Sequence, residues 1–149
     1  MASTTFSGPV TSTNGFIGAL TGNIAGSGSI THATSAEINA TATATAAQVA
    51  KGYITSTSAA ATVITLPTGT LLGAALGAVQ GTVFDLYIDN TAGANTVTIA
   101  VAVNGILSSA AADTAGSFGD LTVASGVTGL ARFTLMFSSA TAYVFTRTA

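Results

Sequence analysis

The chain contains no cysteine, one histidine and few charged residues, three basic and five acidic among 149. Without cysteine it forms neither disulfides nor thiolate metal sites, so its stability must come from packing or from partners. Three basic residues provide no positive stripe that could neutralise a phosphate backbone. We therefore expect no nucleic-acid partner, and the residue types present predict no cofactor.

Long apolar runs are also missing, although the mean hydropathy is positive at +0.65. No run approaches the ~20 residues that a helix needs to cross a bilayer. The opening MASTTFSGPV contains neither the basic region nor the apolar region of a signal peptide. We therefore expect no membrane partner, and we expect synthesis in a host cytoplasm.

Small residues dominate what is present, since alanine, threonine, glycine and serine supply more than half of the chain. Leucine, isoleucine, valine and phenylalanine supply about a quarter, which is above the level below which chains usually stay disordered. The length suits one ordinary domain. The composition thus predicts a folded domain with a thin core.

The first 36 residues contain no aspartate, glutamate, lysine or arginine. Their apolar residues are scattered among glycines with a spacing that fits neither a helix stripe nor a long strand. We interpret residues 1–36 as an extended arm that docks on another surface. A disordered tail is the alternative, although such tails are usually charged and poor in aromatics. The candidate docking residues are Phe6, Pro9, Val10, Phe16, Ile17 and Leu20.

Residues 37–51, EINATATATAAQVAK, read as a linker that closes in a short helical turn capped by Gly52. We therefore divide the chain into an arm with its linker at residues 1–45 and a β-domain at residues 46–149.

Strand signals follow the linker at regular intervals. In VFDLYIDNTAGANTVTIAV, residues 83–101, apolar and polar residues alternate on both sides of a turn rich in asparagine, glycine and alanine, which predicts a hairpin. The other predicted strands are residues 53–58, 62–66, 121–125, 130–137 and 142–148. Seven strands and one helix predict an all-β fold, a β-sandwich or barrel-like domain preceded by the arm.

One segment, PTGTLLGAALGAVQG at residues 67–81, breaks the strand pattern. On a helix its glycines, four residues apart, would form one ridge beside an apolar face of leucines. Glycine costs ~1 kcal/mol of helix propensity relative to alanine, so the ridge indicates a very close contact. That contact is either with the protein's own sheet or with another subunit, and a poorly ordered loop is the alternative. The candidate oligomer contacts are Gly69, Gly73 and Gly77.

Four stretches carry a resemblance to a known family: FSGPVTSTNGFIGALTGNIAG, AAQVAKGYITSTSAAATVITLPTG, TVFDLYIDNTAGANTVTI and LTVASGVTGLARFTLMFSSATAYVF. In hydrophobic pattern and turn residues the chain resembles small β-rich virion proteins of tailed bacteriophages, including capsid decoration proteins and head fibres. The resemblance implies a homotrimer on the outer face of an icosahedral shell, with the major capsid protein as partner and the virion as location.

Catalytic motifs are scarce. A hydrolytic triad needs a histidine, and the only one is His32, within the arm. Asp85 and Asp89 would lie ~13 Å apart along one strand, too far for shared metal ligation. Asp89, Asn90 and Asn95 offer the oxygen ligands that calcium prefers, but they are also expected turn formers. We therefore expect neither an enzyme nor a metal site.

Three functional classes remain to be compared. An enzyme needs a polar constellation, and a sugar-binding or receptor-binding module needs exposed aromatics. A structural protein that cements a capsid needs only a docking arm, a stable β-domain and a surface for self-association. The third class matches the sequence best, with a fibre, a tail-associated receptor- or carbohydrate-binding module and a tail-tube subunit as the alternatives.

Overall fold

The computed structural model describes residues 34–107 and 121–149. The six candidate docking residues of the arm and His32 lie outside the described residues, so their predicted roles stay predictions. Within the described part the fold is mostly β, built from mixed parallel and antiparallel sheets with two α-helices.

The elements follow one another as short strands, helices and then longer strands. In chain order they are β1 (Ala36–Glu37), β2 (Ala42–Thr43), α1 (Ala46–Val49), β3 (Tyr53–Thr55), β4 (Thr62–Thr65), α2 (Gly69–Leu76), β5 (Val83–Asp89), β6 (Val97–Ala100), β7 (Gly105–Leu107), β8 (Thr122–Val123), β9 (Leu130–Ser139) and β10 (Ala142–Arg147). A 3-10 turn at Gly126–Thr128 precedes β9. All seven predicted strand segments contain strands, and β1, β2 and β7 are additional.

The strands form two sheets. Sheet A has the order β1-β3-β5-β9-β10-β7, and sheet B has the order β2-β4-β6-β8. In sheet A, β1, β3 and β5 run parallel, β9 is antiparallel to β5 and β10, and β7 is parallel to β10. In sheet B, β2, β4 and β6 run parallel and β8 is antiparallel to β6.

The predicted hairpin over residues 83–101 is wrong in its pairing, although both of its strands exist. Strand β5 pairs with β3 and β9 in sheet A, whereas β6 pairs with β4 and β8 in sheet B. The intervening turn residues carry the chain from one sheet to the other. Since Val97 and Ile99 are fully buried like Leu86 and Ile88, each strand needs its own sheet to cover it.

A single hydrophobic core contains side chains from both sheets. Ile54, Leu86 and Phe133 come from sheet A, and Ile64 and Ile99 come from sheet B. Aromatic rings fill its C-terminal part: Phe133 stacks on Phe145 at a centroid distance of 4.9 Å. Phe137 and Tyr143 pack in a tilted arrangement at 5.7 Å, and Tyr143 donates its hydroxyl to the carbonyl of Pro67 at 3.1 Å.

The helices begin and end at recognisable signals. Thr45 and Gln48 form a reciprocal capping box at the start of α1, and Gly52 after the helix has a φ of 73°. The Thr68 side chain accepts from the Leu71 amide at the start of α2. Gly77 ends α2 in the left-handed conformation. The expected helical turn before Gly52 is confirmed, but the predicted single helix is wrong by one.

The glycine ridge is shorter than predicted, because α2 ends at Leu76. Only Gly69 and Gly73 lie within the helix. Gly77 is its left-handed cap, and Gly81, with a φ of 86°, belongs to the following turn. The four-residue spacing therefore combines two helical positions with two positions that need positive φ.

Candidate interaction surface on the outer face of sheet A

The outer face of sheet A is the side of β5, β9 and β10 that points away from the core. Strand β9 shows the alternation clearly, since Ala131, Phe133, Leu135 and Phe137 are buried and the residues between them are not. Because side chains alternate along a strand, cross-strand pairs define rows across this face. Two of these rows differ in chemistry.

The first row is apolar and crosses four neighbouring strands. Val83 of β5 is opposite Met136 of β9, Met136 is opposite Val144 of β10, and Val144 is opposite Ile106 of β7. Val83, Met136 and Ile106 are 55%, 54% and 56% exposed, and Val144 is half-buried. We call Val83, Met136, Val144 and Ile106 the apolar row. Contiguous exposed apolar side chains of this kind mark interaction surfaces.

The second row is aromatic and cationic. Tyr53 of β3 is opposite Tyr87 of β5, and Tyr87 is opposite Arg132 of β9. All three side chains are partly buried. A shallow depression of about 230 Å³ is lined by Tyr87, Leu130, Arg132 and Ala149. We call Tyr53, Tyr87 and Arg132 the tyrosine-arginine row.

Two carboxylates flank this row on β5. Asp89 accepts from the Tyr53 hydroxyl at 2.5 Å and from the backbone and hydroxyl of Thr91 at 2.9 and 2.6 Å. The bond from the Thr91 hydroxyl, followed by that from Tyr53, lowers the pKa of Asp89, and the same Asp89 bond raises the pKa of Tyr53. Asp85 accepts from the Thr134 hydroxyl at 2.7 Å.

The two helical glycines make their close contacts within the chain. A Cβ on Gly69 would collide with the backbone oxygens of Thr141 and Asn104, and a Cβ on Gly73 would collide with that of Ala140. Both glycines are buried. The ridge therefore packs against the turn between β9 and β10, which was the first of the two alternatives. Gly77 has nothing within 4 Å of its Cβ position, and its role as an oligomer contact stays a prediction.

The asparagines proposed as calcium ligands serve the loops instead. Asn90 is fully buried, and its amide nitrogen lies 2.8, 3.2 and 3.0 Å from the carbonyls of Asn95, Val123 and Ala124. Gly93 covers its side-chain oxygen so closely that a Cβ there would collide with it. Within residues 34–107 and 121–149, no three acidic, histidine or cysteine residues could hold a metal ion together.

Comparisons of the chain with protein-family models, curated proteins and solved structures found no match. No helix in the described part of the chain has the length and apolar character to span a bilayer. The two rows on sheet A were not predicted from the sequence. The outward alternation of Tyr87 beside Leu86 and Ile88 was visible, but its neighbours across the sheet depend on register.

Proposed function

We propose that the protein is a structural virion protein, a capsid decoration protein that binds the outer surface of a bacteriophage head and stabilises it. The two sheets around one core serve in this proposal as a β-sandwich. The apolar row is the observation that carries the proposal, because four aligned, exposed apolar side chains suit a lasting contact with another protein surface.

The uncharged arm would supply the contact with the major capsid protein. Residues 1–36 can bury phenylalanine, valine, isoleucine and leucine side chains without desolvating any charged side chain. A protein that binds only the assembled shell stabilises it by mass action, by about 2.7 kcal/mol per site at a free concentration of 100 times the Kd. The mechanism needs affinity and geometry but no chemical step.

Self-association would use the outer face of sheet A and not its edges. The unpaired edges that motivated self-association are short, since β1, β2 and β8 have two residues each and β7 has three. Short edge strands already discourage edge pairing. The apolar row offers a better surface, and closed symmetry would bury it in every copy. A threefold arrangement rests on the phage resemblance alone.

The test is cosedimentation of the full chain with empty heads of the phage whose particles carry it. Replacing Phe6, Phe16 and Ile17 together by serine should abolish cosedimentation, because the arm loses its main apolar anchors. A matched triple of Thr4, Thr11 and Thr13 to serine should cosediment like the unmodified chain. Equal binding of both triples would place the anchor outside the arm.

The proposal also states that the protein is not an enzyme. His32→Ala should leave attachment and particle stability unchanged, and loss of a hydrolytic or metal-dependent activity on that substitution would contradict it. A tail-tube subunit or a fibre stays an alternative. An image reconstruction of the particle that places the chain on the tail instead of the head would favour it.

A further inference from the structure

We propose that the tyrosine-arginine row binds a neutral pyranose sugar, with the ring over Tyr87 and its hydroxyl groups between Arg132 and Asp85. This activity goes beyond shell binding and uses different residues from the arm and the apolar row. It would allow a decorated particle to adhere to a glycan-coated surface.

Tyr87 provides the floor of the site. Its neighbours across the sheet are Tyr53 on one side and Arg132 on the other, and it lines the depression of about 230 Å³ together with Leu130. The C–H face of a pyranose ring packs on such an aromatic and aliphatic surface as other apolar groups do. The depression is large enough for one sugar ring and shallow enough to admit the end of a longer glycan.

Arg132 provides hydrogen-bond donors. Its Nε donates to the Thr148 hydroxyl at 3.2 Å, which holds the guanidinium in place. Within the described residues, the two terminal nitrogens of Arg132 have no hydrogen-bond acceptor. These nitrogens carry four N–H groups, which can donate to sugar hydroxyl and ring oxygens.

Asp85 provides the matching acceptor. It lies two residues from Tyr87 on the same face of β5, about 7 Å along the strand. One carboxylate oxygen accepts from Thr134 at 2.7 Å, and the other has no donor among the described residues. A hydroxyl group both donates and accepts, so a polyol satisfies Asp85 and Arg132 at once.

The charges favour a neutral ligand over an anion. Asp85 and Asp89 lie on either side of Tyr87 along β5, against the single positive charge of Arg132 on β9. A carboxylate, sulfate or phosphate placed over Tyr87 would meet both aspartates as well as the arginine. A neutral sugar avoids this repulsion and keeps both kinds of hydrogen bond.

The test is saturation-transfer NMR on the full chain with three neutral probes, maltotriose, cellotriose and chitotriose. Sialyllactose and inorganic phosphate serve as charged probes. At least one neutral trisaccharide should bind, and Tyr87→Ala should weaken it about tenfold by removing the stacking surface. Tyr87→Phe, which keeps the ring, should bind like the unmodified chain, as should the control Val144→Ala in the apolar row.

Three results would overturn the proposal. The first is no binding of any neutral trisaccharide at millimolar concentration. The second is tighter binding of sialyllactose or phosphate, which would make Arg132 a simple anion site. The third is unchanged binding by Tyr87→Ala. If Tyr87→Ala does not fold, Arg132→Gln and Asp85→Asn decide, because each removes one hydrogen-bonding partner and should weaken binding about tenfold. Head attachment by these variants should be normal, which separates this proposal from shell binding.

Discussion

The carbonyl oxygen of Ala140 lies where a Cβ atom on Gly73 would stand. The turn between β9 and β10 thus touches the backbone of α2 directly, with no side chain between them. Thr141 has the same relationship to Gly69, one turn earlier on the helix. These contacts explain why a helix tolerates two glycines that each disfavour it by ~1 kcal/mol.

Gly73→Ala should destabilise the domain strongly. The added methyl group meets backbone atoms that cannot rotate away, so we expect a loss of about 3 kcal/mol, or ~10 °C in Tm. Gly77→Ala is the matched comparison, because its position is strained by a φ of 59° but open. It should cost only about 1 kcal/mol. Thermal unfolding followed by circular dichroism measures both, and equal losses would contradict the contact at Ala140.

Asn90 and Gly93 should be energetically coupled. Gly93→Ala places a methyl group against the Asn90 side chain and should cost about 2 kcal/mol in the unmodified protein. In an Asn90→Ala background the same change should cost much less, because the two nearest atoms are gone. Denaturant unfolding of the four proteins of this cycle gives the coupling energy. Additive losses would show that the side-chain contact carries no energy.

Tyr143 should make the domain sensitive to alkali. Burial raises the pKa of its hydroxyl to about 12, against about 10 in an unfolded chain. The neutral form is therefore favoured in the folded state. The associated stability is complete below pH ~10 and is lost as the pH rises towards ~12.

Tyr143→Phe tests this pH dependence. The variant loses the hydrogen bond to Pro67 and about 1 kcal/mol at pH 7, but its stability should fall less between pH 8 and pH 11. Urea midpoints at both pH values measure the difference. Some decline should persist, because the pKa of Tyr53 is also raised, chiefly by its bond to Asp89. Parallel declines in the two proteins would refute the role of Tyr143.

Met136→Lys should disrupt self-association. It places a charge in the middle of the apolar row, where burial against another copy would require its desolvation. Val127→Lys is the control, because Val127 is fully exposed and lies in the 3-10 turn, outside the row. Light scattering at micromolar concentration should show an oligomer for the unmodified chain and the control, and smaller species for Met136→Lys. A monomeric unmodified chain would remove the apolar row as a self-contact.

Local patterns predicted most individual elements. The alternation around Leu86 and Ile88 predicted β5, and Thr68 before the leucines predicted the start of α2. These signals are local, because a strand face repeats every two residues and a helix cap involves neighbours three residues apart. The hairpin failed for the same reason: the alternation in β5 and β6 is equally compatible with one sheet or with two.

The candidate site depended almost wholly on tertiary structure. The sequence by itself determined the uncharged arm, the strand-rich domain, the buried set in each strand and the paucity of catalytic side chains. Only the tertiary structure decided that Tyr53, Tyr87 and Arg132 form one row, and that Val83, Met136, Val144 and Ile106 form another. These residues are far apart in the chain, and their alignment comes from hydrogen-bond register among five strands. A shift of one residue in any strand would turn its side chains to the opposite face.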